Sequence, residues 1–173
     1  MIPQVDDLRA EGQEFHHLLA SLGENDWPRA TLFKAWTIDD IVRHLHMGDT
    51  MALASASDPA AFATLMADIQ ARRKEGLSRI EETRRPLDGL GGPRLLKRWR
   101  ETLDQLCDRL SAAAPDAQLK WAGPDMGVRM FTTARQMEIW SHAQAIYDLL
   151  GVDRPAAAPR LRNIAEIGVP TFA

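Results

Sequence analysis

LLKRWRETLDQLCDRL, residues 95–110, is the stretch on which the fold class turns. Leu95, Leu96, Trp99, Leu103, Leu106 and Leu110 recur at intervals of three and four, with Lys97, Arg98, Arg100, Asp104 and Arg109 between them. An α-helix turns about 100° per residue, so this spacing collects the apolar side chains into one stripe and leaves the charges on the opposite face. A strand alternates with period 2 and would scatter the same leucines over both faces. The stretch therefore reads as a long amphipathic helix. Pro86, Gly89, Gly91 and Gly92 form a flexible connection before it, and it ends near Ala114-Pro115.

Three further helical segments surround it. From Pro3 to Leu22, the residues Val5, Leu8, Phe15, Leu18, Leu19 and Leu22 keep helical spacing, and Asp6, Asp7 and Glu11 lie in the early turns, where the helix dipole favours negative charge. Gly23, Asn25 and Trp27-Pro28 end this segment, and an irregular stretch runs to Trp36. Thr37 then reads as an N-cap, with Asp40 in the place a capping box gives to Glu or Gln, and Ile38, Ile41, Val42 and Leu45 begin a second stripe. Asp58-Pro59 repeats the start signal, which predicts a break near residues 55–57 and a charged helical arm to about Arg85. Residues 116–130, with Trp121-Ala122-Gly123-Pro124-Asp125-Met126-Gly127 inside, read as a loop, and a last helix runs from Thr132 or Thr133 to Leu150 with Gly151 as its left-handed cap. No alternating run is long enough for a strand. Four main helices of about 18 to 25 residues predict an all-α four-helix bundle with one interrupted or crossover arm. The bundle is expected over residues 1–155. Residues 156–173 are expected to form a tail with helical potential around Arg160 to Ile167 and an apolar end, Val169-Pro170-Thr171-Phe172.

Composition bounds the function. In 173 residues, 21 Lys and Arg face 24 Asp and Glu, a formal net charge of −3. A chain of this size buries roughly 70% of its unfolded surface, so it needs neither disulfide nor metal merely to fold. A sequence pI near 5.9 gives no electrostatic footprint for nucleic acid. No apolar run approaches the roughly 18 residues of a bilayer span, and MIPQVDDLRAEG has no basic region followed by an apolar one, which points to the cytoplasm. The single cysteine, Cys107, has no partner for an internal disulfide and sits in the leucine stripe as a small core residue.

The sharpest chemical signal lies on the last helix. Glu138 and His142 are four residues apart and stack on one face, in line with Arg135, Ala145 and Leu149, which should point toward the bundle interior. A carboxylate there costs several kcal/mol unless it is exposed, paired or coordinated. On the second helix His44 and His46 differ by about 200°, so only one of them can join a site built on the other helix. Spacing does not choose between them. A histidine converging on Glu138 and His142 would complete three ligands with open positions, the arrangement of catalytic zinc. His16 and His17, about 100° apart, read as a half-exposed pair. Trp121, in a Gly- and Pro-rich loop, is a candidate pocket wall.

Three blocks resemble the DinB-like metalloprotein superfamily and, within it, the branch of mycothiol-dependent maleylpyruvate isomerase. They are the tryptophan-led segment from Trp36 to Leu45, the loop from Trp121 to Met126, and the segment from Ala134 to Gln144. The resemblance implies a helical bundle in which His44, Glu138 and His142 hold a divalent metal, commonly zinc with nickel as the alternative, and His46 stands aside. It also implies a low-molecular-weight thiol, mycothiol or glutathione, as cosubstrate; for such chemistry Trp121 and Met126 are the candidates for binding the thiol, and Arg135 and Gln144 for orienting substrate. A thiol bound to a divalent cation loses its proton to solvent at neutral pH, so a chain with one core cysteine could still run thiol chemistry. The expected function is S-transfer to, or thiol-assisted isomerisation of, a small electrophile. The competing expectation is a non-catalytic metal-binding bundle. Expected partners are the small-molecule substrate and the thiol, with neither nucleic acid nor membrane, and a homodimer is the assembly to test for. The chain departs from the family at Ala145, where relatives commonly carry Asp, and it stops at Ala173, where relatives often continue into a smaller domain.

Overall fold

A computed structural model describes residues 2–155 and 158–168. Four helices form the body: α1 (Gln4–Ala20), α2 (Ile38–Ser57), then, beyond an arm of two shorter helices, α5 (Gly92–Ala112) and α6 (Val128–Leu150). They have 17, 20, 21 and 23 residues, and the all-α bundle expected from the spacing is the observed architecture. Helix α2 packs along α5, and α1 lies against both α5 and α6. The leucine stripe of residues 95–110 forms the centre of the core. Trp99, Leu103, Leu106 and Leu110 are fully buried, and Trp99 meets Phe15 of α1 edge-on at 5.6 Å.

The start signals work as chemistry requires. The Thr37 hydroxyl accepts from the Asp40 amide and the Asp40 carboxylate accepts from the Thr37 amide, both at 3.1 Å. Asp40 is buried and also receives two hydrogen bonds from Arg84, at 2.8 and 2.7 Å, so the cap of α2 anchors the arm as well. Asp58 caps α3 (Pro59–Lys74), and Gly151 takes a left-handed conformation with φ of 65° after α6.

Three expectations need correction. The arm is not one helix to Arg85: α3 stops at Lys74, Gly76 turns the chain at φ of 81°, and Ser78 with Glu81 makes a new capping box for α4 (Arg79–Arg84). A single residue in the left-handed region suffices to end a helix, and this glycine outweighs the helix-forming residues around it. Second, residues 116–130 are not all loop. Two-residue strands β1 (Gln118–Leu119) and β2 (Met126–Gly127) pair antiparallel and pinch the Trp121 loop into a hairpin, too short to leave a periodic trace in sequence. Third, α6 begins at Val128, about a turn earlier than Thr132. The Val128 amide donates back to the Ala117 carbonyl at 2.9 Å, which fixes the hairpin to the first turn.

Within the tail, α7 (Ala158–Gly168) docks on the bundle: Arg160 reaches Glu14 at 2.5 Å, Asn163 donates to Asp7 at 2.6 Å, and Gln136 donates to the Arg160 carbonyl at 2.9 Å. The apolar end from Val169 to Phe172 lies outside the described residues. Among the described residues no helix is long and apolar enough to cross a membrane.

Candidate metal centre

His44 from the second turn of α2 and Glu138 and His142 from the middle of α6 meet where these two helices approach each other. The Nε2 atoms of His44 and His142 lie 3.3 and 3.5 Å from the same carboxylate oxygen, Oε2 of Glu138, and the three donor atoms are all within 4.8 Å of one another. A divalent ion about 2.1 Å from tetrahedrally disposed donors places those donors about 3.4 Å apart. Two imidazole nitrogens and one carboxylate oxygen at these separations therefore fit such an ion.

The protonation states suit the same purpose. Hydrogen bonding with His142 and then His44 holds the Glu138 carboxyl far below the usual carboxylate range, with Arg135 assisting against the cost of burial. Burial pushes the His44 imidazole below its ordinary value and so favours the neutral ring, whose lone pair a cation requires. The Nδ1 atom of His44 is buried without a partner among the described residues, which leaves Nε2 as the nitrogen turned to the site.

The loop before α2 closes the centre on one side. Thr31 accepts nothing from Trp36 but donates to it, through its amide at 2.8 Å and its hydroxyl at 2.9 Å, and this tight turn forces Lys34 and Ala35 to φ of 53° and 55°. Non-glycine residues rarely occupy that region, and strain of this kind concentrates at functional sites. Its effect is visible in the rings it delivers. Trp36 stacks parallel to His142 at 6.1 Å and leans on His44 at 5.3 Å, while Phe33 meets His142 edge-on at 5.1 Å. Trp36 thus touches both imidazoles, and Phe33 adds a second contact to His142.

A cavity of about 400 Å³ opens above the three donors. Its walls carry Met47, Met51 and Trp121, and four cations line it: Lys34, Arg73, Arg79 and Arg135. Trp121 comes from the hairpin, meets Phe131 edge-on at 5.4 Å and lies 5.7 Å from the Arg135 guanidinium carbon. The neighbouring Met126 lines a smaller cavity of about 190 Å³ that shares Trp121, Arg135 and Glu138 with the first.

Not every expected residue arrives at the site. Gln144 donates to Asp148 at 2.9 Å and accepts from Arg154 at 3.4 Å, away from the walls of both cavities. Six residues beyond Glu138 it has turned about 240° from that face. His46 points instead toward Thr102 of α5, 3.4 Å away. Ala145 packs against the bundle core. Arg135 does line the cavity but is 4% exposed and bound to Asp49, a residue the sequence reading passed over. Asp49 continues the buried stripe from Leu45 to Ala52, and a carboxylate in a core register was the available signal. Arg73 and Arg79, which belong to the expected charged arm, also line the cavity, a placement that no local spacing indicates.

Cys107 is fully buried among the leucines, and burial pushes its thiol up to about 12. It is protonated near neutral pH and is not among the residues lining the metal cavity. The native protein is therefore expected to leave Ellman's reagent untouched at pH 8 and to react with one equivalent once unfolded in guanidinium chloride. Rapid reaction of the folded protein would show that the core opens readily and that the chain carries a usable thiol of its own.

Comparison with known proteins agrees with this architecture. A family model described as the mycothiol maleylpyruvate isomerase N-terminal domain matches residues 8–147. Two uncharacterised proteins, from two strains of Mycobacterium tuberculosis, are each 38% identical over 169 residues, which is 98% of this chain and 64% of theirs. The chain thus spans less than two thirds of the length of these relatives. Crystal structures of the mycothiol-dependent maleylpyruvate isomerase and of a histidine-to-alanine mutant of it superpose with TM-scores of 0.59 and 0.58, covering 83% of this chain and 59% of theirs at 12% identity. At that identity the likeness concerns the fold, which is the helical bundle implied by the three sequence blocks.

Proposed function

This chain belongs to the mycothiol maleylpyruvate isomerase N-terminal domain family, and from that premise we propose that it is a divalent-metal-dependent enzyme joining a low-molecular-weight thiol to a small electrophile, for S-transfer or thiol-assisted isomerisation. The observation that carries this reading is the convergence of His44, Glu138 and His142 on one point at the floor of an open cavity. These residues would hold the metal, with zinc favoured by a two-imidazole, one-carboxylate set and nickel as the alternative. When bound, such an ion supplies Lewis acidity and brings the thiol of a cosubstrate to its thiolate form at neutral pH.

The chain's own residues supply the rest. Glu138 is ionised and contributes the negative charge of the donor set, while Trp36 and Phe33 keep the two imidazoles in orientation. Mycothiol or glutathione would enter beside Trp121, with Met126 behind it. Lys34, Arg73, Arg79 and Arg135 line the cavity; Arg73 is paired with Glu82 and Arg135 with Asp49, so Lys34 and Arg79 are the two cations without a carboxylate partner among the described residues, against one carboxylate, Glu138, in the lining. That field suits an electrophile whose reacting carbon is conjugated to an anionic group and stabilises negative charge that develops there during addition. The thiol must come from solution, since Cys107 is closed in the core.

The test is turnover of unsaturated and activated electrophiles by the zinc-loaded protein with mycothiol, glutathione and a simple thiol in parallel. Thiol-dependent turnover is expected in the wild type and a loss of at least 100-fold in His142→Ala. Equal activity in that variant would sink the proposal. A spectroscopic check runs beside it: thiol added to the cobalt-substituted protein should raise a sulfur-to-metal charge-transfer band. Stoichiometric cobalt with no band at any thiol concentration would make the chain a metal-binding bundle instead of a thiol enzyme.

A further inference from the structure

A second cavity lies on the other side of α2 from the metal centre, closed by the arm and by α5. It measures about 250 Å³, and its lining does not include any of the three candidate metal ligands. Met47, Leu65 and Leu87 make the walls apolar, and the hydroxyl-bearing Thr50 and Thr83 with the His46 ring add hydrogen-bonding groups. Two arginines and one carboxylate complete it.

The charges do not balance. Arg72 is 9% exposed, pairs with Asp68 through Nη1, and keeps a buried Nε that has no partner among the described residues. Arg98 is exposed at the rim, and no carboxylate partner for its guanidinium occurs among the described residues. Asp68 thus neutralises one of two guanidinium groups, and the cavity retains about one positive charge beside an apolar wall. That Nε is itself closed to solvent, so an occupant would meet the Arg72 and Arg98 side chains where they line the cavity and not this nitrogen.

We infer that this cavity is a binding site, separate from the metal centre, for a small amphipathic carboxylate whose apolar body lies against Leu65 and Leu87 and whose anionic end is held by Arg72 and Arg98. Its volume is just below the usual range for ligand pockets and suits a molecule of roughly ten heavy atoms. The two cavities share one wall, because Met47 lines both, and successive residues of α3 serve them, Arg72 the second and Arg73 the first. An occupant would therefore press on the same methionine that borders the metal cavity. The inference does not depend on the proposed enzymatic reading, because none of its groups belongs to the donor set.

Sodium benzoate is the probe, followed by the amide spectrum of the full chain. Saturable shifts are expected at Thr50, Leu65 and Thr83, with benzamide binding about ten-fold more weakly because it lacks the charge. Arg98→Gln changes an exposed side chain, so it is expected to fold normally and to weaken benzoate by about ten-fold. Glu138→Ala, which dismantles the metal centre, is expected to leave benzoate binding intact. The inference is overturned if no saturable shift reaches these three residues at millimolar benzoate, or if Arg98→Gln binds as well as the wild type. Loss of binding in Glu138→Ala would also overturn it, because benzoate would then occupy the metal cavity.

Discussion

Prepared without chelator and without nickel resin, the wild-type protein is expected to carry about one equivalent of zinc or another divalent ion, and Glu138→Ala is expected to carry none. The reasoning starts from the shared oxygen. Both imidazole nitrogens approach Oε2 of Glu138 at 3.3 and 3.5 Å, so that carboxylate is the centre of the donor set and its only negative charge. Losing an outer hydrogen-bond partner of a metal ligand typically costs about 10- to 100-fold in affinity, and losing a ligand that also carries the charge should cost more. An ion that binds only the folded state stabilises it by about 4 kcal/mol when present at a thousand times its Kd. For a domain of this size that is a rise in Tm on the order of 10 °C. Zinc should therefore raise the melting temperature of the chelated wild type by that amount and leave Glu138→Ala unmoved. Elemental analysis and thermal unfolding read the two halves of the result independently of any activity. A wild type that is metal-free and also refuses added zinc, nickel and cobalt would remove the metal centre, and the enzymatic reading with it.

What could be read before the structure, and what could not, follows from the range of the interactions. Helices α1, α2, α5 and α6 are written in three-and-four spacing and in local caps, which depend on neighbours within a few residues. Glu138 and His142 share a helix, so their common face was legible, whereas the approach of His44 from another helix was not. Spacing left His44 and His46 as equals, the family resemblance favoured His44, and the structure turns His44 to Glu138 and His46 to Thr102. The strained turn at Lys34 and Ala35 has no glycine to announce it. Nor did Arg135 announce its partner: its helical face was correct, but Asp49 is 86 residues away in sequence.

That last pair carries the second large effect. Asp49 is fully buried and Arg135 nearly so; Arg135 donates to Oδ1 of Asp49 through Nε at 3.0 Å, and the Trp99 indole donates to Oδ2 at 2.9 Å. Burial pushes the Asp49 carboxyl upward while Arg135 pulls it back, so the charge on Asp49 depends on that partner. The fit is close on the other side too, since a Cβ added at Gly48 would come within 2.7 Å of the Arg135 guanidinium. Asp49→Ala should accordingly cost about 3–5 kcal/mol, because it strands a buried guanidinium and an indole donor together. Replacing both members with apolar residues of similar volume, Asp49→Leu with Arg135→Met, should recover most of that loss, since no unpaired charge remains. Urea unfolding of the two variants measures both numbers, and a cost under about 1 kcal/mol for Asp49→Ala would show that the pair does not organise this end of the bundle. The double variant also separates two roles for Arg135. If the arginine serves only to hold α2, α5 and α6 together, the repaired protein binds zinc and turns over thiol and electrophile like the wild type. If its guanidinium also adds to the field that favours an anionic substrate, zinc binding and stability return while turnover does not.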